Sequence, residues 1–185
     1  PSVVRQSVGL DSIVLLHLAW QQSKMTKQPL SALHINHNLS PHAQDWADFC
    51  TAVCAAWQIP LQIISVHLQR KGGQSLEAIA RQARYNAYQA HPADAVLLAH
   101  HQDDQAETLM LQLLRGGGIK GMAAMPAQRD WRGKQVLRPL LAYTRAQLHA
   151  YASAHSLQWV EDESNQDTRY QRNQWRQDFL PQLAH

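Results

Sequence analysis

Apolar positions along the chain fall into short strand-like runs separated by longer stretches at helical spacing. Val3 and Val4 close a first strand, and Ile13-Val14-Leu15-Leu16-His17-Leu18 opens a helix predicted from about Asp11 to Ser23, before the loop at Pro29. Ala32 to His37 alternates as a strand, with Leu33 and Ile35 on one face and His34 and Asn36 on the other. Pro41 is placed to start a helix over Ala43 to Trp57, where Trp46, Ala47, Cys50, Val53, Cys54 and Trp57 recur on one side. Leu61 to His67 is a strand, and Ser75 to Ala90 a helix. Ala95 to Ala99 is a continuous apolar run, as expected of a central strand in a parallel sheet. Asp103 to Leu114 is a helix stopped by Gly116-Gly117-Gly118, and Val136 to Pro139 a short extended segment. Thr144 caps a helix to His155, and a last helix spans about Thr168 to Leu180.

Strands alternating with helices of this length predict βαβ units, hence an α/β fold with a mostly parallel twisted sheet covered on both faces. A short helical segment follows at the C-terminus. Ligands of such sheets bind beyond the carboxyl ends of the strands, at the switch point. The segments Ser7–Ser12, His34–Ser40 and His100–Asp104 all follow strands and converge on one rim. No internal repeat or low-complexity linker divides the chain, so one domain is expected.

Composition narrows the class. The 185 residues are 45% hydrophobic and 17% charged, proportions of a globular protein with a substantial core. No apolar run approaches the roughly 20 residues of a membrane span, so no membrane role is expected. Two cysteines, Cys50 and Cys54, stand four apart in a helical pattern, which favours two buried structural thiols over a metal pair. Without a disulfide framework, a reducing cytoplasm is the default location. The formal net charge of +3, with 11 histidines counted neutral, suits a polyanionic partner without demonstrating one.

Four clusters carry candidate chemistry. Ser7-Val8-Gly9-Leu10-Asp11-Ser12 joins a strand to a helix N-terminus, where unpaired backbone N–H groups and the helix dipole favour an anion. Hydroxyls at both ends add donors for phosphate, and Asp11 is placed to hold a metal ion bridging the phosphates. No Gly-Lys-Ser/Thr follows, so this is not the common P-loop. His100-His101-Gln102-Asp103-Asp104-Gln105-Ala106-Glu107-Thr108 is the densest polar cluster. Part of it is ordinary helix-start chemistry, and adjacent His100 and His101 face one metal ion poorly. Arg81 and Arg84 lie one turn apart on one face with Tyr85 beside them, a pattern that solvated helix arginines also give. Finally, Arg115 and Lys120 bracket a glycine turn, and Arg169, Arg172 and Arg176 form a stripe with Tyr170 and Trp175 beside it, a match to an RNA backbone and its bases.

The loop resembles the S-G-G-x-D-S loop of the PP-loop ATP pyrophosphatases, and nearly the whole chain resembles their tRNA(Ile)-lysidine synthetase branch. The resemblance rests on Leu10-Asp11-Ser12, His37-Asn38-Leu39-Ser40, Glu77 through Tyr85, His100-His101 through Glu107-Thr108, and Arg115-Gly116. Arg138-Pro139-Leu140-Leu141 and Asp162 through Arg176 complete the set, in the family's order. It implies one PP-loop catalytic domain over residues 1–185, without the C-terminal tRNA-binding domains of longer members. It further implies binding of ATP and Mg²⁺ and adenylation of the wobble cytidine, at its carbon-2 oxygen, in a tRNA(Ile) with a CAU anticodon. The amine of L-lysine then displaces AMP to leave lysidine. By motif position, Ser7, Val8, Gly9, Leu10, Asp11 and Ser12 bind ATP, with Asp11 on Mg²⁺. Arg84, His101, Asp104 and Glu107 line the site between nucleotide, lysine and cytosine, with Asp104 holding lysine's ammonium or a metal. Arg115, Arg172, Asn173 and Arg176 contact phosphate or tRNA. A homodimer is compatible with this reading.

Two positions depart from the family pattern. Val8 replaces a glycine, and if that position needs φ > 0 a β-branched residue costs about 1–2 kcal/mol. Arg5 and Gln6 stand where the first strand is small and apolar, so the strand is expected to break down there. The rival readings are a PP-loop tRNA thiolase, which generally uses extra cysteines, and a tRNA-binding domain whose ATP loop Val8 has damaged.

Overall fold

The computed structural model describes residues 1–37, 40–66, 76–114 and 124–161. Six strands form one sheet: β1 (Ser2–Gln6), β2 (Leu30–Asn36), β3 (Leu61–Ser65), β4 (Ala95–Leu97), β5 (Gln128–Trp131) and β6 (Lys134–Leu137). Five helices connect or cover them: α1 (Leu10–Thr26), α2 (Ala43–Ala56), α3 (Leu76–Ala90), α4 (Gln102–Leu114) and α5 (Arg145–Ala154). The strand order is β3-β2-β1-β4-β6-β5, parallel throughout except for the β5–β6 pair.

β1 is therefore central, and the chain reverses its direction of travel across the sheet between β1 and β4. In a doubly wound sheet this is the switch point, where a crevice opens beyond the strand ends. One face of the sheet packs through Val4 and Ala32 on Leu10, Val14, Leu15 and Leu16 of α1, Cys54 of α2, and Leu148 and Ala152 of α5. The other packs through Val3, Leu33, Ile35, Val96 and Val136 on Ala87 and Tyr88 of α3. The apolar stretch at the start of α1 is buried all round, from Ile13 to Leu16, because sheet and helices enclose it together. Burial of this quality makes truncating one such leucine cost about 2–5 kcal/mol.

Two sequence expectations change. β1 does not end at Val4: it runs through Arg5 and Gln6, paired with Leu33 and His34 of β2. A charged and a polar residue are tolerated in a central strand because they sit at its carboxyl end, where the core gives way to the crevice. Second, β5 was not visible in the pattern, since Gln128-Arg129-Asp130-Trp131 is almost wholly exposed and lacks an apolar face. It exists as half of a hairpin whose turn, Arg132-Gly133, takes φ of 48° and 80°, the left-handed pair that closes a two-residue hairpin. Thr144 caps α5 as expected, within a reciprocal capping box with Gln147. The expected last helix, Ser75 and the glycine turn at 116–118 lie outside the described residues. Among the described residues, no helix is long and apolar enough to cross a membrane.

Candidate active site

The Ser7–Ser12 turn forms the floor of the crevice. Ser12 Oγ accepts the Ser7 N–H at 2.8 Å and donates to the Arg5 carbonyl at 3.2 Å, so this hydroxyl closes the loop rather than facing outward. The Val8 carbonyl accepts the Val160 N–H at 2.9 Å, which ties the loop to the segment after α5. Val8 itself is buried and is not among the residues with positive φ, so the strain expected of a β-branched residue there is absent. Gly9 occupies the N-cap of α1 with no capping side chain. The first-turn N–H groups of Leu10, Asp11 and Ser12 thus meet no side-chain cap. A β-carbon added at Gly9 would touch nothing within 4 Å, so open space lies over this helix end. An uncapped helix N-terminus with room above it fits a phosphate.

Asp11 stands in the first turn of α1. Its Oδ2 lies 3.4 Å from His101 Nε2, while its Oδ1 is buried with no hydrogen-bond partner. A buried carboxylate oxygen without a donor is costly unless a cation completes it, so Asp11 fits a hard divalent ion such as Mg²⁺, which typically takes one or two carboxylates plus phosphate oxygens. Among the described residues, no three His, Cys, Asp or Glu side chains form a ready-made metal cage.

His101 precedes α4 and caps it. Its Nδ1 accepts the Asp103 N–H at 3.3 Å, and Asp104 Oδ2 in turn accepts the His101 N–H at 3.0 Å. With Nδ1 acting as acceptor, the ring proton sits on Nε2, which faces Asp11 and also Asp104 Oδ2 at 3.6 Å. Burial works against charging the ring, but the hydrogen bond to Asp11 and the charges of Asp104, Asp11 and Asp103 outweigh it, and the pKa rises above its ordinary value. Glu107 is buried one turn further along α4. The Gln105 amide exchanges two 2.7 Å bonds with the backbone of Met125, holding α4 against the segment before β5.

The opposite wall of the crevice is cationic. Arg84 of α3 has its Nε buried without a hydrogen-bond partner, and so has His37 at Nδ1, just past β2. Burial, then the charge of Arg5, lowers the Arg84 pKa. Burial, then the charges of Arg84, Arg5 and His34, holds the His37 pKa down at about 4. Arg138, after β6, is buried and donates to His100 Nδ1 at 3.3 Å and to the Pro126 carbonyl at 2.9 Å.

Of the expected site residues, the structure gathers Ser7 to Ser12, His101, Asp104 and Glu107 around the ends of β1 and β4, with Arg84 on the α3 side. Arg115, Arg172, Asn173 and Arg176 lie outside the described residues, as do Asn38 and Leu39. Sequence reasoning did not single out Arg5 or His37 as site residues. The available signals were that Arg5 is the only charged residue in β1 and that His37 opens the His37-Asn38-Leu39-Ser40 motif on the expected rim. Cys50 and Cys54 are buried, and burial pushes their thiols up to about 12 and about 11. They are structural, as expected.

Comparison with known proteins agrees with this geometry. The family described as the PP-loop domain matches residues 2–183. A tRNA(Ile)-lysidine synthase from Chromobacterium violaceum is 51% identical over 179 residues, covering 96% of this chain and 41% of its own. The corresponding protein of Pseudomonas aeruginosa is 51% identical over 181 residues (96% and 40%), and that of Neisseria meningitidis serogroup B 47% over 184 residues (99% and 43%). The chain thus spans about two fifths of the length of these relatives. Among solved structures, a U34-tRNA thiolase from Methanococcus maripaludis superposes with a TM-score of 0.68 at 19% identity, over 86% of this chain and 58% of its own. A phosphoadenylyl-sulfate reductase from Candida auris gives 0.54 at 18%, over 86% and 75%. At these identities the likeness is one of fold.

Proposed function

The chain belongs to the PP-loop domain family, and from that premise we propose that it is the catalytic domain of a tRNA(Ile)-lysidine synthase. The reaction is ATP-dependent joining of L-lysine to carbon 2 of the wobble cytidine in a CAU anticodon, through an adenylated cytidine. The observation that carries the reading is the pairing of an uncapped, open helix N-terminus at Gly9 with the orphaned carboxylate oxygen of Asp11, at the crevice where β1 and β4 diverge. The identity of about half the residues with curated lysidine synthases supports this choice over other PP-loop chemistries. The cytoplasm is the proposed location.

Each part of the site has a task. The N–H groups at the start of α1 bind phosphate oxygens, with Ser7 at the loop entrance and Ser12 fixing the loop's shape. Asp11 would hold Mg²⁺, which supplies charge neutralisation to the departing pyrophosphate. His101 holds the Asp11 carboxylate in place from Nε2. Asp104, placed beside His101, is the proposed seat of lysine's ammonium, with Glu107 behind it. Arg84 faces the nucleotide from α3. The cytosine must leave its stack to reach this crevice, which suits the single-stranded anticodon loop. Arg115, Arg172, Asn173 and Arg176 are proposed tRNA or phosphate contacts.

The thiolase reading loses ground because Cys50 and Cys54 are packed in the core with thiols held protonated. The damaged-loop reading loses its backbone argument, since Val8 is not among the residues with positive φ. ATP–pyrophosphate exchange that requires the tRNA tests the proposal: exchange is expected with a CAU-anticodon tRNA(Ile), and its absence in a folded protein would refute it.

A further inference from the structure

The two walls of the crevice carry opposite charge, and among the described residues the cationic wall has no carboxylate partner. Arg5 at the end of β1 and Arg84 on α3 act on one another electrostatically, and with burial they hold His37, at the end of β2, in its neutral form. All three belong to one face of the sheet. Arg5 alternates with Val3, His37 with Ile35, and Val3 and Ile35 pack toward α3. No carboxylate is paired with Arg5 or Arg84 among the described residues; the phenols of Tyr85 and Tyr88 act on Arg84 instead. Two buried nitrogens of this group have nothing to bond, Arg84 Nε and His37 Nδ1. Gathering like charges and leaving their donors unpaired in a partly buried place is unfavourable in the free protein. It becomes favourable once an anion fills the gap.

We infer that Arg5, His37 and Arg84 form a second anion subsite, on the α3 side of the crevice, that takes a pyrophosphoryl group. A multiply charged anion is favoured over a carboxylate because two guanidinium groups, and an imidazole able to take a proton, face the same space. The enclosed position at the strand ends suits a compact terminal group better than a continuous RNA backbone. The subsite deepens the reading given under Proposed function and rests on it for the source of the group, a nucleoside triphosphate or the pyrophosphate it releases. Arg5 is the distinguishing element, the one charged residue in β1. It gives the leaving pyrophosphate a seat apart from the α1 N-terminus and Asp11.

The test is titration of the intact chain with inorganic pyrophosphate in EDTA, without divalent metal, following the His37 imidazole by NMR. Pyrophosphate is expected to raise the His37 pKa from about 4 and to bind at least about tenfold tighter than acetate. Arg5→Gln is expected to weaken pyrophosphate at least about tenfold, and Arg5→Lys to keep most of the binding. ATP under the same conditions separates the sources: an equal rise in the His37 pKa assigns the subsite to the intact triphosphate tail, and a smaller one to the released product. An unchanged His37 titration overturns the subsite, as does acetate binding as tightly as pyrophosphate, or undiminished binding in a folded Arg5→Gln. Should Arg5→Gln not fold, the His37 titration of the unaltered chain decides alone. Because no lysine or tRNA is present, a failure here leaves lysidine formation to be judged separately.

Discussion

His101 Nε2 lies 3.4 Å from Asp11 Oδ2, so the end of β4 and the start of α1, 90 positions apart in sequence, meet across the switch point. The same imidazole caps α4 through Nδ1. One ring therefore sets the position of the carboxylate proposed to hold Mg²⁺ and of the helix bearing Asp104. Replacing His101 by Asn keeps an N-cap acceptor and removes the link to Asp11. His101→Asn truncates a fully buried ring and is expected to cost some stability, while lowering the rate of ATP–pyrophosphate exchange per folded protein about 10²-fold or more, the scale of removing one preorganised polar group. A variant with full exchange activity would show that the link is structural only.

Ser12 gives a contrasting prediction. Its buried hydroxyl makes two hydrogen bonds that shape the loop. Ser12→Ala should cost about 1–3 kcal/mol of stability, measured by urea unfolding, together with ATP affinity. Ser7→Ala should weaken ATP with little effect on unfolding, since the Ser7 backbone N–H, not its side chain, is what Ser12 holds. Equal destabilisation by both would contradict the division of labour.

Val8 is buried, and its φ is not positive. Val8→Gly therefore relieves nothing; it removes packed apolar surface and loosens the unfolded chain. The expected result is a loss of about 1–3 kcal/mol by thermal or urea unfolding. A stabilised variant would mean the valine is strained after all.

His37 makes stability depend on pH. Its folded pKa, about 4, lies below the unfolded value of 6.5, so the folded state resists a proton that the unfolded state accepts. The stability it contributes is complete above about pH 6.5 and is lost as pH falls through 4. His37→Asn should lose less stability than the parent between pH 7 and pH 5. Parallel curves would place His37 in solvent.

The burial of Cys50 and Cys54, with thiols near 12 and 11, predicts no alkylation by iodoacetamide at pH 8 in the folded protein and full reaction in denaturant. Modification of the native form would require a different packing of α2.

Most of the architecture was legible because the buried elements announce themselves: Ile13 to Leu16 and Ala95 to Leu97 are continuous apolar runs, and Trp46 to Trp57 repeats apolar residues at helical spacing. The loop motif and His100–Glu107 were legible for a different reason, since strand ends followed by helix starts gather polar residues. What escaped had no periodic signal. β5 is polar and exposed, and exists only because β6 pairs with it. Arg5 and Gln6 read as faults in a strand when they are its paired carboxyl end, and the proposed role of His37 depends on α3, 47 residues further on, bringing Arg84 to it.

The most direct test is incorporation of labelled lysine into a CAU-anticodon tRNA(Ile) transcript with ATP and Mg²⁺, with AMP release measured alongside. The expected result is one AMP released per lysine joined to the wobble cytidine, and loss of both in Asp11→Asn. A folded chain that binds ATP and this tRNA yet transfers no lysine would contradict the assignment.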